Sequence, residues 1–352
     1  TGSKGLNMPS IPELRVASSF SVRLCALCAL VAQFFPTCGA IAGILVVSEA
    51  AGAQTTAIRE VPFTQVKITG GFWAQRQAIN RESTVWANFR KCEETGRIEN
   101  FNLAAARTRG EAVEPEAFQG YYFNDSDVYK AIEGASYILA TGPDAEVEEV
   151  LDGWIERIGA AQQPDGYLNT YYTVKEGLDK RFTNLKDMHE LYCAGHLIEA
   201  GIAHEQATGK RTLLDIAIRF ADLIDATFGP DKRRDVCGHP EIELALIRLS
   251  RATGQERYFK LAEFFLEERG RTQPGRRALY GEYCQDQAPI REHEQALGHA
   301  VRAMYLYSAV ADAAAATGDR AYIEAMDRVW DDLTLKKMYI TGGIGSNPAT
   351  EG

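Results

Sequence analysis

The sequence contains no basic run interleaved with aromatic side chains, and its formal net charge is −10. Nucleic acid and anionic membrane surfaces are therefore excluded as partners, because both need a basic face. No His-x-His or His-x-x-x-His pair occurs among the six histidines, and no pair of the mature chain's cysteines has metal-ligand spacing. This excludes a zinc site built from one local segment. The glycine-rich stretch "TGGIGSNPATEG", Thr341 to Gly352, lacks the lysine and the spacing of a phosphate-binding loop. Such a loop can instead let its backbone approach a ligand closely, with Glu351 held at a pocket wall.

The one long uncharged run lies near the start. Arg23 precedes Leu24–Val47, and "AGA", Ala51 to Ala53, offers a cleavage site before Gln54. A basic residue, an apolar core and small residues at the exit predict an export signal within a leader of residues 1–53, and a periplasmic or extracellular protein. An uncleaved membrane anchor is the alternative, weakened by Gln33 and Pro36 inside the run. Met8 has the character of an initiator. Of the seven cysteines, Cys25, Cys28 and Cys38 fall in the leader; Cys92, Cys193, Cys237 and Cys284 are scattered and read as buried free thiols.

Residues 54–352 form one domain in this reading. A short extended stretch, Arg59–Thr69, alternates enough to predict a strand or two. Helical periodicity then takes over, as in Val147, Val150, Leu151, Trp154, Ile155 and Ile158. The tripeptide "ATG" closes a helical run at Ala140–Gly142, Ala207–Gly209, Ala252–Gly254 and Ala316–Gly318, and a second amphipathic run follows each time. Glycine tolerates the left-handed conformation at a helix end, so each unit predicts an antiparallel helix hairpin. About nine helices are expected, over 74–95, 127–140, 145–162, 189–207, 212–227, 240–252, 256–269, 298–316 and 320–333. The fold class is therefore all-α, an (α/α)6 toroid left incomplete by about three helices, with a short N-terminal β segment. Such a ring exposes an apolar wall where further hairpins belong.

Three histidines, His189, His239 and His299, stand at corresponding helix beginnings, the end of a helical ring where loops converge. They predict a polar pocket. His196 is expected to pack inside, and His204 and His293 carry no clear signal. "YFNDSDVYK" reads first as a helix N-cap at Asn124 to Ser126, and secondly as Asp125 or Asp127 facing the pocket. The tyrosines of "QQPDGYLNTYY", Gln162 to Tyr172, suit either sugar stacking or packing.

Taken together, "FNDSDVYKAIEGASYIL", "AAQQPDGYLNTYY", "MHELYCAGHLIEAGIAH", "GHPEIELALIRL", "GHAVRAMYLYSAVAD" and "MYITGGIGS" resemble glycoside hydrolase family 127, the β-L-arabinofuranosidase family, over about residues 60–352. The resemblance implies an (α/α)6 catalytic domain followed by β-sandwich domains. It implies a retaining exo-glycosidase acting on terminal arabinofuranose of plant cell-wall glycans, with a zinc-bound cysteine as nucleophile and a glutamate as acid/base. The acid/base position falls on Glu351, and the sugar-contacting histidines on His189, His239 and His299. The family's Glu-Thr-Cys zinc motif and its later adjacent cysteines have no counterpart in this sequence, and no mature cysteine matches a nucleophile position. Zinc is thus expected for the complete enzyme and not for this stretch, which is expected to be a C-terminally truncated, inactive fragment. Two other readings stay open: another (α/α)6 sugar enzyme, an inverting hydrolase pairing Asp125 or Asp127 with Glu351 or an epimerase, and a non-catalytic carbohydrate-binding or scaffold protein.

Overall fold

A computed structural model describes residues 60–272, 277–345 and 347–352. The leader, with its three cysteines, lies outside the described residues. Over the described residues the chain is all-α. Eleven α-helices are described: α1 (Gly71–Ile79), α2 (Val85–Glu94), α3 (Arg97–Thr108), α4 (Asp125–Thr141), α5 (Ala145–Ala161), α6 (Glu190–Thr208), α7 (Thr212–Thr227), α8 (Ile242–Thr253), α9 (Glu256–Glu268), α10 (Ala300–Thr317) and α11 (Arg320–Asp332). Helix α4 packs on α6, α6 on α8 and α8 on α10, while α3, α5, α7 and α9 follow one another outside them. This is the double layer of an (α/α) toroid, each hairpin supplying one inner and one outer helix. Helix α6 shows its inner place in its composition: every residue from Glu190 to His204 is buried.

Two expectations need correction. The stretch up to Thr69 forms no strand; its described part holds only a 3-10 turn, Phe63–Gln65, preceded by Pro62. Proline removes a ladder donor, and Val61 and Val66 stay exposed with no sheet to join. Phe63 instead stands edge-on to Tyr137 of α4, ring centroids 4.8 Å apart. The expected helix 74–95 is two helices joined by a π-helical turn at Asn80–Thr84, and α3 was missing from the reading altogether. Its apolar set is short (Ile98, Phe101, Ala104, Ala105), and Gly96 at φ 74° separates it from α2.

The helix-ending glycines mostly do what their composition predicts. Gly209, Gly254 and Gly318 close α6, α8 and α10 at φ 75°, 71° and 70°. Gly142 differs, with φ 160°. There the cap comes from across the chain, where Arg81 donates to the carbonyls of Ile138 at 2.7 Å and Gly142 at 2.9 Å. Cys92, Cys193, Cys237 and Cys284 are free and buried, as expected. Near α10 and α11, Val301, Trp330, Leu335 and Ile340 are exposed. Among the described residues no helix is long and apolar enough to cross a membrane.

Candidate active site

The inner helices begin on the same side of the ring, so the residues just before them converge. His189 precedes α6, His239 lies in the loop leading to α8, and His299 precedes α10. The ring centroids of His189 and His239 are 5.2 Å apart, and those of His239 and His299 are 5.6 Å apart. Two glycines permit this approach. A Cβ on Gly238 would lie 1.9 Å from the Lys186 carbonyl oxygen, and one on Gly298 (φ +73°) would lie 1.9 Å from that of Glu282. Only glycine lets the loops touch.

The hydrogen bonds fix each histidine's proton. His189 Nδ1 faces the Asp187 carbonyl at 2.9 Å, and His239 Nδ1 faces the Pro240 carbonyl at 3.0 Å. A carbonyl only accepts, so both Nδ1 atoms carry hydrogen. Burial, the leading cause in both, holds His189 down at about 4 and His239 at about 2, so both rings are neutral near pH 7. Each Nε2 is therefore a bare acceptor. His299 has the other tautomer: its Nδ1 accepts from the Val301 and Arg302 amides at 3.1 and 3.3 Å. The proton sits on Nε2, which lies 3.2 Å from Glu351 Oε2. The site thus presents two acceptors, suited to hydroxyl donors, beside a donor already directed at Glu351.

Glu351 is drawn into this cluster by its backbone and its side chain. Its carbonyl accepts from the Ala300 amide at 2.8 Å, and its carboxylate accepts a short hydrogen bond from the Tyr283 hydroxyl. That bond holds the carboxyl below its usual value. A proton donor requires the opposite direction, which desolvation of a carboxyl supplies. The Glu351 side chain is 56% exposed.

The competing carboxylates are committed elsewhere. Asp125 is buried; it accepts from the Thr170 amide at 2.8 Å and from the Thr170 hydroxyl. Its side chain does not cap α4, and burial raises its carboxyl to about 6. Asp127 pairs with Arg97 at 2.7 Å. In the loop Gln162 to Tyr172, Tyr167 and Tyr172 are buried, and the Tyr167 hydroxyl donates to Glu190 at 2.6 Å, so packing accounts for both. His196 packs inside as expected, beside Glu241 at 3.5 Å. Burial pushes that imidazole down and that carboxyl up. His204 and His293 are buried away from the cluster; His293 Nε2 lies 2.9 Å from the Ala288 carbonyl.

Several site residues escaped sequence reasoning. The Tyr192 ring lies 4.3 Å from that of His239 at a tilt of 54°, Tyr305 lies 5.9 Å from it, and Arg302 contacts the loops of both His239 and Tyr283. Two of these carried a legible signal, since Tyr192 follows His189 by three and Arg302 follows His299 by three, one helical turn on the same face. A cavity of about 530 Å³ lies beside the histidines, lined by Gly298, Ala300, Met304, Tyr339 and Gly345. It includes none of the three rings, and the converging chemistry marks the site better than the cavity's size does.

The donor set does not fit a zinc ion. Among the described residues no three His, Cys, Asp or Glu side chains converge as metal ligands. Burial pushes the Cys92 thiol to about 11 and the Cys237 thiol to about 12, and raises those of Cys193 and Cys284.

Below the histidines Glu190 is fully buried, accepting from the Phe182 amide at 2.9 Å as well as from Tyr167. Burial raises its carboxyl from 4.5 to about 7. Between those values the folded state holds a proton that the unfolded state has lost, so this group's contribution to stability falls as pH rises through about 7. Relative to Glu190→Gln, the wild-type chain is expected to lose about 2–3 kcal/mol between pH 5 and pH 8. Urea midpoints of both proteins check this; a constant difference would contradict it.

Comparison with known proteins decides the family. A family model described as beta-L-arabinofuranosidase, GH127 catalytic domain, matches residues 65–351. The chain belongs to this family. It is 38% identical over 275 residues to a non-reducing end beta-L-arabinofuranosidase of Bifidobacterium longum subsp. longum, covering 72% of this chain and 41% of that protein. A crystal structure of a GH127 beta-L-arabinofuranosidase from Geobacillus stearothermophilus T6 superposes with a TM-score of 0.75 at 43% identity, over 81% of this chain and 48% of that one. A second GH127 beta-arabinofuranosidase structure gives a TM-score of 0.75 at 46% identity, over 83% and 46%. The chain therefore spans somewhat less than half the length of the GH127 relatives it matches.

Proposed function

We propose that this chain supplies the sugar-binding part of a retaining β-L-arabinofuranosidase, with His189, His239 and His299 contacting the terminal furanose and Glu351 as general acid/base. The observation that carries the reading is the convergence of three helix-start histidines, their tautomers fixed, with Glu351 held against His299 and Tyr283. The neutral His189 and His239 accept from sugar hydroxyls, and His299 donates to Glu351. Glu351 protonates the departing glycosidic oxygen and then takes a proton from the attacking water. The zinc-held cysteine nucleophile of the family resemblance is not composed by these residues, so their share of the reaction is binding and proton transfer.

The inverting alternative is weaker, because Asp125 is buried on Thr170 and Asp127 is paired with Arg97. A non-catalytic carbohydrate-binding protein would use the same histidines, and a scaffold would not. Calorimetric titration with methyl β-L-arabinofuranoside separates these. Saturable binding is expected, weakened at least tenfold in His189→Ala, as loss of a hydrogen bond to a buried polar partner costs about 1–3 kcal/mol. An arabinofuranoside that fails to bind the folded chain would overturn the reading.

A further inference from the structure

Arg302 is buried in the first turn of α10 and belongs to none of the roles above. Its Nη1 donates to the Gly238 carbonyl at 2.9 Å and to the Cys284 sulfur at 3.1 Å. Its guanidinium carbon lies 4.4 Å from the centre of the Tyr283 ring. Its own amide donates to His299 Nδ1. Its side chain thus touches the peptide before His239 and the ring that holds Glu351, while its backbone amide holds the His299 ring.

We propose that Arg302 is the positioning residue of the sugar site, fixing the spacing of the His239 loop, the Tyr283 loop and the α10 start. The guanidinium suits this task because it is planar and stacks on an aromatic face while donating at its edge. Gly238 and Gly298 let the loops approach, and Arg302 holds them there. Its charge has a second consequence. It faces His189, His239 and His299, and it lowers the proton affinity of all three. The neutral, accepting state of His189 and His239 is thereby reinforced. The binding arm of the following test rests on the arabinofuranoside reading; the spectroscopic arm does not.

The whole chain is compared with Arg302→Met and Arg302→Lys by NMR of the histidine rings across pH, and by titration with methyl β-L-arabinofuranoside. In Arg302→Met the His239 ring signals are expected to move and the His299 midpoint to rise, while His204 and His293 stay in place. In Arg302→Lys the charge is kept, so the His299 midpoint holds near wild type while the His239 signals still move. Sugar binding falls at least tenfold in both. If the methionine variant does not fold, the lysine variant decides alone. Unmoved His239 signals in a folded variant overturn the proposal, as does unchanged sugar binding. Moved signals in a protein whose wild type binds no sugar leave Arg302's role standing and remove the arabinofuranoside reading.

Discussion

Arg269→Met is expected to lower the unfolding free energy by about 3–5 kcal/mol, the cost of removing one partner of a buried ion pair. Arg269 and Glu243 are both fully buried, 2.8 Å apart. The guanidinium also donates to the carbonyls of Cys237 and Cys284, each at 2.8 Å. Methionine fills much of the volume but leaves Glu243 charged and unpaired, and two carbonyls without their donor. Adding Glu243→Leu is expected to recover part of the loss, because an apolar replacement of the whole pair removes the unpaired charge. Denaturant unfolding of the single and double variants at pH 5 and pH 8 measures all of this. A loss under about 1 kcal/mol in the single variant, or no recovery in the double, would contradict the account.

Gly298→Ala is expected to cost about 2–4 kcal/mol, from left-handed strain and backbone overlap together. The residue stands at φ +73°, and its Cβ would lie 1.9 Å from the Glu282 carbonyl oxygen. Gly318 is the internal control. It has nearly the same φ, +70°, and nothing within 4 Å of its Cβ. Gly318→Ala should therefore show the strain alone, about 1–2 kcal/mol. The difference between the two reports the close approach of the Tyr283 loop to His299. Gly298→Ala should also weaken sugar binding, because Tyr283 and His299 must separate, while Gly318→Ala should leave binding unchanged. Equal losses of stability in the two variants would show that the approach is slack.

The parts of this molecule that were legible in the sequence are those with a local cause. The Ala-Thr-Gly endings marked four helix ends because a left-handed residue there nearly demands glycine, and three of the four adopt it. Gly142 escapes because its cap is Arg81, about sixty positions away. Helix α3 was missed because its buried side includes Asn100, whose side chain exchanges hydrogen bonds with Gln119 across the hairpin. The β segment was misread because alternation predicts a strand only if a sheet exists to receive it. The same divide runs through the site. His189, His239 and His299 could be found because each announces itself at a helix start. Asp125 was misplaced because Thr170, a residue from another loop, takes both its oxygens. For Arg302 the spacing from His299 marks the face but not the role, which lies in the loops that meet around it.

The most direct test of the central claim is titration of the wild-type chain and His239→Ala with methyl β-L-arabinofuranoside, each protein first shown folded by circular dichroism. His239 is the middle ring of the three, with its Nδ1 tied to the Pro240 carbonyl and its Nε2 left as an acceptor. Saturable binding by the wild type, weakened at least tenfold in the variant, is the predicted result. Equal affinity in the two folded proteins would contradict the assignment of the sugar site to these histidines.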